Sequence, residues 1–234
     1  MRPRSASLGV TDRYRKVADM PKALPLFPLR GAILLPRASL TLNVFEPRYL
    51  ALVDRALAGD RLIGVVQPAP EAGAAESPAG KNFPIRRVGC AGRISSFTEN
   101  EDGRVVISLA GVARFAVADA IAGNAPFRTC RVDFAPYAQD FVGGHGEEDV
   151  DRPRLIATLR SYLTANNLHA DWDRINNASN ERLVNTLSIL SPYGPEEKQA
   201  LLEAPDLRTR AEALVALAEM ELAARDDGSG TSLQ

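Results

Sequence analysis

The chain is poor in the residues that most often carry chemistry. It holds two cysteines, two histidines and one tryptophan among 234 residues. Cys90 and Cys130 form no CxxC pair, which excludes the common thiol-redox and zinc-knuckle motifs and fits a reducing compartment. No run approaches the ~20 apolar residues of a membrane span. The basic N-terminus, MRPRSASLGVTDRYRK, lacks the apolar stretch that a secretory signal needs. Lysine is scarce as well, limited to Lys16, Lys22, Lys81 and Lys198, so the positive charge is almost all arginine. A formal net charge of −1 argues against strong nonspecific binding to nucleic acid or to an anionic membrane. The only Gly-Lys pair, Gly80-Lys81, is followed by Asn82 and has no glycine at position 75, so no phosphate-cradling GxxxxGK[ST] loop exists. No GxSxG nucleophile elbow occurs either. A cytoplasmic protein without a cofactor or metal is the expectation these absences leave.

What is present is a substantial core and a change of pattern along the chain. Apolar residues make up 45 % and charged residues 24 %. Residues 24–36, LPLFPLRGAILLP, are apolar enough for a buried strand, yet Pro25, Pro28 and Pro36 interrupt them. Proline cannot donate to a sheet ladder, which predicts a strand near a sheet edge. SLTLNVFE, 39–46, alternates with the period of a half-buried strand. Pro47 then suits the first turn of a helix carrying Leu50, Val53 and Leu57, with Gly59 as its C-cap. RLIGVVQP, 61–68, returns as a short strand, and 69–82 reads as a mobile surface loop. Val88, Cys90, Gly92 and Ile94 share one strand face, NEDG at 100–103 is a hairpin turn, and the odd positions from Val105 to Val117 share another face, bent near Gly111. FRTCRVDF, 127–134, sets Cys130, Val132 and Phe134 on one face, so both cysteines read as core filling.

Near residue 140 the period becomes helical. Leu155, Ile156, Leu159, Tyr162 and Leu163 mark one amphipathic helix, and Leu183, Leu187 and Leu190 another. Pro195 opens a short helix, and Asp206 N-caps a last one. Strands followed by helices indicate an α+β protein. His145 lies beside Glu147, Glu148 and Asp149 in a glycine-rich loop, but a structural zinc wants four ligands and the cysteines sit in strands. Asp171 and Asp173 of DWDR read as helix capping, with Trp172 anchoring that turn.

In combination these segments resemble the N-terminal, substrate-recognition domain of the Lon protease family. The likeness is carried by LPLFPLRGAILLP, by LTLNVFEPRYLALVDRALAGDRLIGVVQP, and by SPYGPEEKQALLEAPDLRTRAEAL. Its most specific piece is VGCAGRISSFTENEDGRVVISLAGVARFAV, with Val88-Gly89, Asp102-Gly103, Gly111 and Arg114 at the family's positions. The resemblance implies a PUA-like pseudo-barrel β-rich lobe followed by a C-terminal helical bundle lobe. The expected layout is a disordered basic arm over 1–22, the β-rich lobe over 23–137, a linker over 138–150, the helical lobe over 151–225 and a disordered tail over 226–234. It implies a polypeptide-binding module; the chain departs from a full Lon protease in having no Walker motif, so a non-catalytic standalone form without the ATPase and serine-lysine protease modules is expected. Its partners would be unfolded or tagged polypeptides, or a protease or chaperone, with an adaptor role in protein quality control. An opening between the lobes and an exposed sheet edge would bind by apolar burial and strand addition. Phe45, Arg48 and Tyr49, at the strand-to-helix junction, are the candidate contact residues, with ordinary packing as their alternative. Arg114 is assigned a bracing role. The alternative function is RNA binding, through a stripe of Arg86, Arg87, Arg93 and Arg104.

Overall fold

The computed structural model describes residues 13–73, 80–101 and 103–229. The chain divides into two units, one up to Gly143 and one from Gly144, and the division falls inside the segment expected as a linker.

The first unit is built on a six-stranded mixed sheet, ordered β2-β5-β4-β3-β1-β6, in which β6 also pairs with β5. The strands are β1 (Ala23–Pro28), β2 (Ser39–Val44), β3 (Leu62–Val66), β4 (Val88–Glu99), β5 (Val105–Ile121) and β6 (Arg128–Asp133). The second contact of β5 closes a ring through β4, β3, β1 and β6, leaving β2 outside it. One strand can serve three partners because β5 is 17 residues long and its ladders carry bulges, which bend and twist a strand. This is the PUA-like pseudo-barrel of an α+β fold.

β1 is not an edge strand. It lies between β3, with which it runs parallel, and β6. The prolines fit there because of where each ladder stops. Val132 N–H donates to the Lys22 carbonyl at 3.0 Å, and Leu29 N–H to the Val66 carbonyl at 2.8 Å. Strand alternation therefore turns the even residues of β1 toward β6 and the odd ones toward β3. Pro25 faces β3, whose register begins only at Leu26; Pro28 faces β6, whose register ends at Leu26. Each ring nitrogen thus faces the neighbour with which that proline shares no register pair.

Residues 13–22 also depart from expectation. Instead of continuing a disordered arm, Tyr14 and Met20 are buried in the core with Leu24, Leu26, Phe115 and Phe134. The Tyr14 hydroxyl donates to the Asp60 carbonyl at 2.8 Å. Residues 1–12 of that arm, 74–79 of the expected surface loop, Asp102 and tail residues 230–234 lie outside the described residues. Cys90 and Cys130 form no disulfide and are buried, as core filling requires, and burial pushes the Cys130 thiol up.

Helix α1 (Pro47–Leu57) packs Tyr49, Leu52, Val53 and Ala56 inward. Its C-cap is Ala58; the left-handed residue that turns the chain toward β3 is Arg61, φ 57°, where Gly59 was expected to act. The second unit is helical: α2 (Arg152–Ala165), α3 (Trp172–Asn177), α4 (Asn180–Leu190), α5 (Pro195–Glu203) and α6 (Leu207–Ser229). Asp151, Asp171, Ser179 and Asp206 each accept the backbone N–H three residues on, so four helix starts are capped by side chains. α6 runs through 226–229, which were expected in the tail. Leu190, expected on the inner face of α4, is instead 73 % exposed, and α4 buries Leu183 and Val184 with the polar Glu181, Asn185 and Ser188.

Candidate functional site: an open strand edge and its aromatic rim

β2 leaves the ring with one neighbour. Its six residues pair with β5 without a bulge, from Ser39↔Ala110 to Val44↔Val105. Among the described residues its other side pairs with no strand. β4 is open over the same stretch, because β3 covers it only as far as Arg93. The three strands thus extend past the ring as a ribbon, and among the described residues no strand pairs with either outer edge there.

The two faces of that ribbon differ in chemistry. Leu40, Leu109 and Ile94 form one row, and Leu42, Ile107 and Phe97 the next. Ile107 and Leu109 are fully buried at the centre, Leu40 and Leu42 are half-buried on the β2 side, and Phe97 is 45 % exposed on the β4 side. The opposite face carries Ser39, Thr41, Asn43 and Ser108, with Thr41 Oγ1 3.3 Å from Ser108 Oγ.

Phe97 was not legible in the sequence. Strict alternation from Ile94 sends residue 97 to the opposite face. A register shift between Ile94 and Ser96 returns it to the apolar side.

The three residues expected at the strand-to-helix junction are separated by the fold. Phe45 stands outward, 62 % exposed, immediately after β2. Arg48 is held: its guanidinium contacts the Glu46 carboxylate at 2.8 Å, lies 4.7 Å from the Tyr49 ring centroid and donates to the Gly80 carbonyl. Tyr49 is turned inward at 4 % exposure and stacks on Phe27, centroids 4.2 Å apart. Tyr49 therefore offers a ligand no surface, because its ring completes the packing of α1 on the sheet. Of the three, Phe45 alone turns a large apolar surface to solvent, and Arg48 acts as a local strut beside it.

Other openings are less suggestive. A cleft of about 500 Å³ lies beside Ile121 and Phe127. Its cations are committed to main chain: Lys81 Nζ donates to the Gly123 and Ala125 carbonyls, and Arg128 Nε to the Lys81 carbonyl. In the helical unit the apolar pocket between α2, α4 and α6 holds about 30 Å³, room for one water. His145 and His169 are exposed, and no group of three metal-ligating side chains occurs among the described residues. The four arginines of the expected stripe do not gather. Arg87 lies opposite Val117 and Arg93 opposite Ala110, while Arg104 precedes Val105, so they spread along the whole β4–β5 hairpin. No described helix is long and apolar enough to cross a membrane.

The family model for the ATP-dependent protease La (LON) substrate-binding domain matches residues 23–219. The chain belongs to this Lon substrate-binding domain family. Among curated proteins it is similar to a Lon protease of Syntrophus aciditrophicus, 25 % identical over 92 % of the chain and 27 % of that protein. A Lon protease of Flavobacterium johnsoniae is 26 % identical over 82 % of the chain and 23 % of its own length. The chain thus spans about a quarter of the length of the curated relatives it matches. Among solved structures, a Lon N-terminal domain protein from Xanthomonas campestris superposes with a TM-score of 0.56 at 25 % identity, covering 84 % of this chain and 98 % of that one. The N-terminal domain of a Mycobacterium avium complex Lon protease gives a TM-score of 0.57 at 16 % identity over 85 % of this chain and 98 % of its own, a likeness of fold. Membership in this family supports a substrate-recognition module.

Proposed function

We propose that the chain captures exposed apolar segments of unfolded or tagged polypeptides on the β2 side of its β-unit, without cutting them, and hands them to a protease or chaperone partner as a quality-control adaptor. The observation that carries this reading is Phe45, a large aromatic 62 % exposed at the end of an uncovered strand edge, in a member of a substrate-binding family. A site of this kind buries a few hundred Å² of apolar surface. At about 25 cal/mol per Å² that supplies several kcal/mol before the costs of association, so binding is weak and tolerant of sequence. Titrating the protein with a permanently unfolded model protein and with its native form tests the reading. Binding of the unfolded form alone, weakened by Phe45→Ser, is the expected result; equal binding of both forms, or none, overturns it. Incubation of the chain with casein and ATP is expected to release neither peptides nor phosphate.

A further inference from the structure

Natural edge strands are usually guarded by a lysine, a proline, an inward charge or a bulge, because bare main-chain groups recruit other strands. β2, SLTLNV, has none of these: six uncharged residues, no proline and an unbroken register. Its outward phase can be read. Gly111 N–H donates to the Ala38 carbonyl at 2.9 Å, so the even residues of β2 turn their amides toward β5. The N–H and C=O groups of Ser39, Thr41 and Asn43 then point to the open side.

The side chains specify the second half of the occupant. Leu40 and Leu42 remain half-buried although their row neighbours Leu109 and Ile107 are fully buried. Each apolar row is one strand short of closure. Another strand, about 4.8 Å further out, would complete both rows with an apolar side chain at every second position. Its intervening side chains would lie beside Ser39, Thr41 and Asn43, on the solvated face. The edge itself carries no charge from Ala38 to Phe45, so a charge in the ligand's apolar row would be desolvated with no compensating partner there.

We infer that β2 takes up an extended, uncharged segment with apolar residues at alternate positions, adding it as a seventh strand. The ligand is the amphipathic β-strand that a protein exposes when it unfolds, in preference to an amphipathic helix. This inference rests on the polypeptide-binding reading above and adds to it a conformation and a sequence pattern.

The test uses the full chain and an eight-residue peptide alternating apolar residues with threonine. Two N-methylated versions of the peptide carry their methyl groups on every second amide, in opposite phases. The expected result is that one phase weakens binding about tenfold or more, through lost main-chain hydrogen bonds, while the other stays within about twofold. Thr41→Pro removes an outward donor without touching the β5 ladder, and should weaken the unmethylated peptide by a similar factor with unchanged circular dichroism. If unfolded protein binds but both methylated peptides bind like the parent, strand addition is wrong and the broader reading survives. If neither unfolded protein nor any peptide binds, both fail. A wild-type dimer that Thr41→Pro makes monomeric would identify the occupant as a second copy of this chain and overturn the inference.

Discussion

Asp140 holds Arg114 with both carboxylate oxygens. Oδ2 accepts the Arg114 backbone N–H at 2.9 Å and its Nε at 2.9 Å, and Oδ1 accepts Nη2 at 2.8 Å. Both residues are buried, and the Tyr137 ring covers the guanidinium with its centroid 4.7 Å away. This is the bracing role expected of Arg114, realised by fastening the 3-10 turn Ala135–Phe141 to β5. Removing one partner of a buried pair leaves the other charge uncompensated, which costs about 3–5 kcal/mol. Asp140→Ala should therefore lower urea-unfolding stability by that order, whereas Arg114→Met with Asp140→Leu should lose much less. Equal losses in the single and double variants would show that the pair itself is not what stabilises this contact.

Gly111 is required by a close approach of backbone to backbone. A Cβ placed there would stand 1.9 Å from the Leu35 carbonyl oxygen, and backbone cannot swing aside as a side chain tip can. The Gly111 carbonyl also accepts Arg37 N–H at 2.9 Å, so the loop before β2 is pinned to β5 at this point. Gly111→Ala should cost about 2–4 kcal/mol, in the range of overpacking with a backbone shift. Gly103→Ala, at a hairpin turn with open space around it but φ 77°, should cost only about 1 kcal/mol. Thermal melts of the two variants side by side check the ranking; a Gly111→Ala protein as stable as wild type would refute the close contact.

Lys198 predicts the pH dependence of the helical unit. Its Nζ is buried and donates to the Ser188 and Ile189 carbonyls at the end of α4, and burial lowers its pKa to about 8. Unfolded, the same lysine titrates near ~10.4. Between these values the unfolded chain binds the extra proton, so this group makes stability rise with pH, by up to about 1.4 kcal/mol per unit. Below pH 8 both states are protonated and the contribution is flat. Lys198→Met should abolish the rise between pH 8 and 10. The single tryptophan, Trp172 on α3, reports unfolding of this unit by fluorescence. Parallel pH profiles for the two proteins would rule the account out.

Local patterns in the sequence located most elements, because alternation, capping and turn chemistry act over a few residues. β2 was expected over 39–46 and spans 39–44; the helix expected from Pro47 and the cap at Asp206 are where they were read. What was not legible depends on distant partners. The interior position of β1 follows from two ladders that stop at the same residue, Leu26, and no property of LPLFPL announces that. Asp140 lies 26 residues from Arg114 in an unremarkable YAQDF stretch. Asn185 on α4 is polar yet buried because Arg210 Nη1 reaches its side-chain oxygen at 2.9 Å, so the leucine spacing alone misjudged which face turns inward. At the candidate site Phe45 was legible only by its place at the strand-to-helix junction, and Tyr49 looked equivalent until its stacking on Phe27 was visible.

That difference between Phe45 and Tyr49 separates binding from stability. Tyr49 is 4 % exposed; its ring stacks on Phe27 and lies 4.7 Å from the Arg48 guanidinium carbon. Truncating a buried aromatic costs about 3–5 kcal/mol, so Tyr49→Ala should lower the denaturation midpoint markedly. Phe45 is 62 % exposed, and surface changes usually stay within about 0.5 kcal/mol, so Phe45→Ser should leave the midpoint unchanged. If Phe45 is a contact for polypeptide, the second variant loses affinity for unfolded protein while the first, under conditions where it remains folded, retains it. Tyr49→Phe keeps the stacked ring and should keep wild-type affinity, with a smaller loss of stability than Tyr49→Ala. A Tyr49→Phe protein with full stability but lost binding would return Tyr49 to the contact surface and place the site at the strand-to-helix junction as first expected.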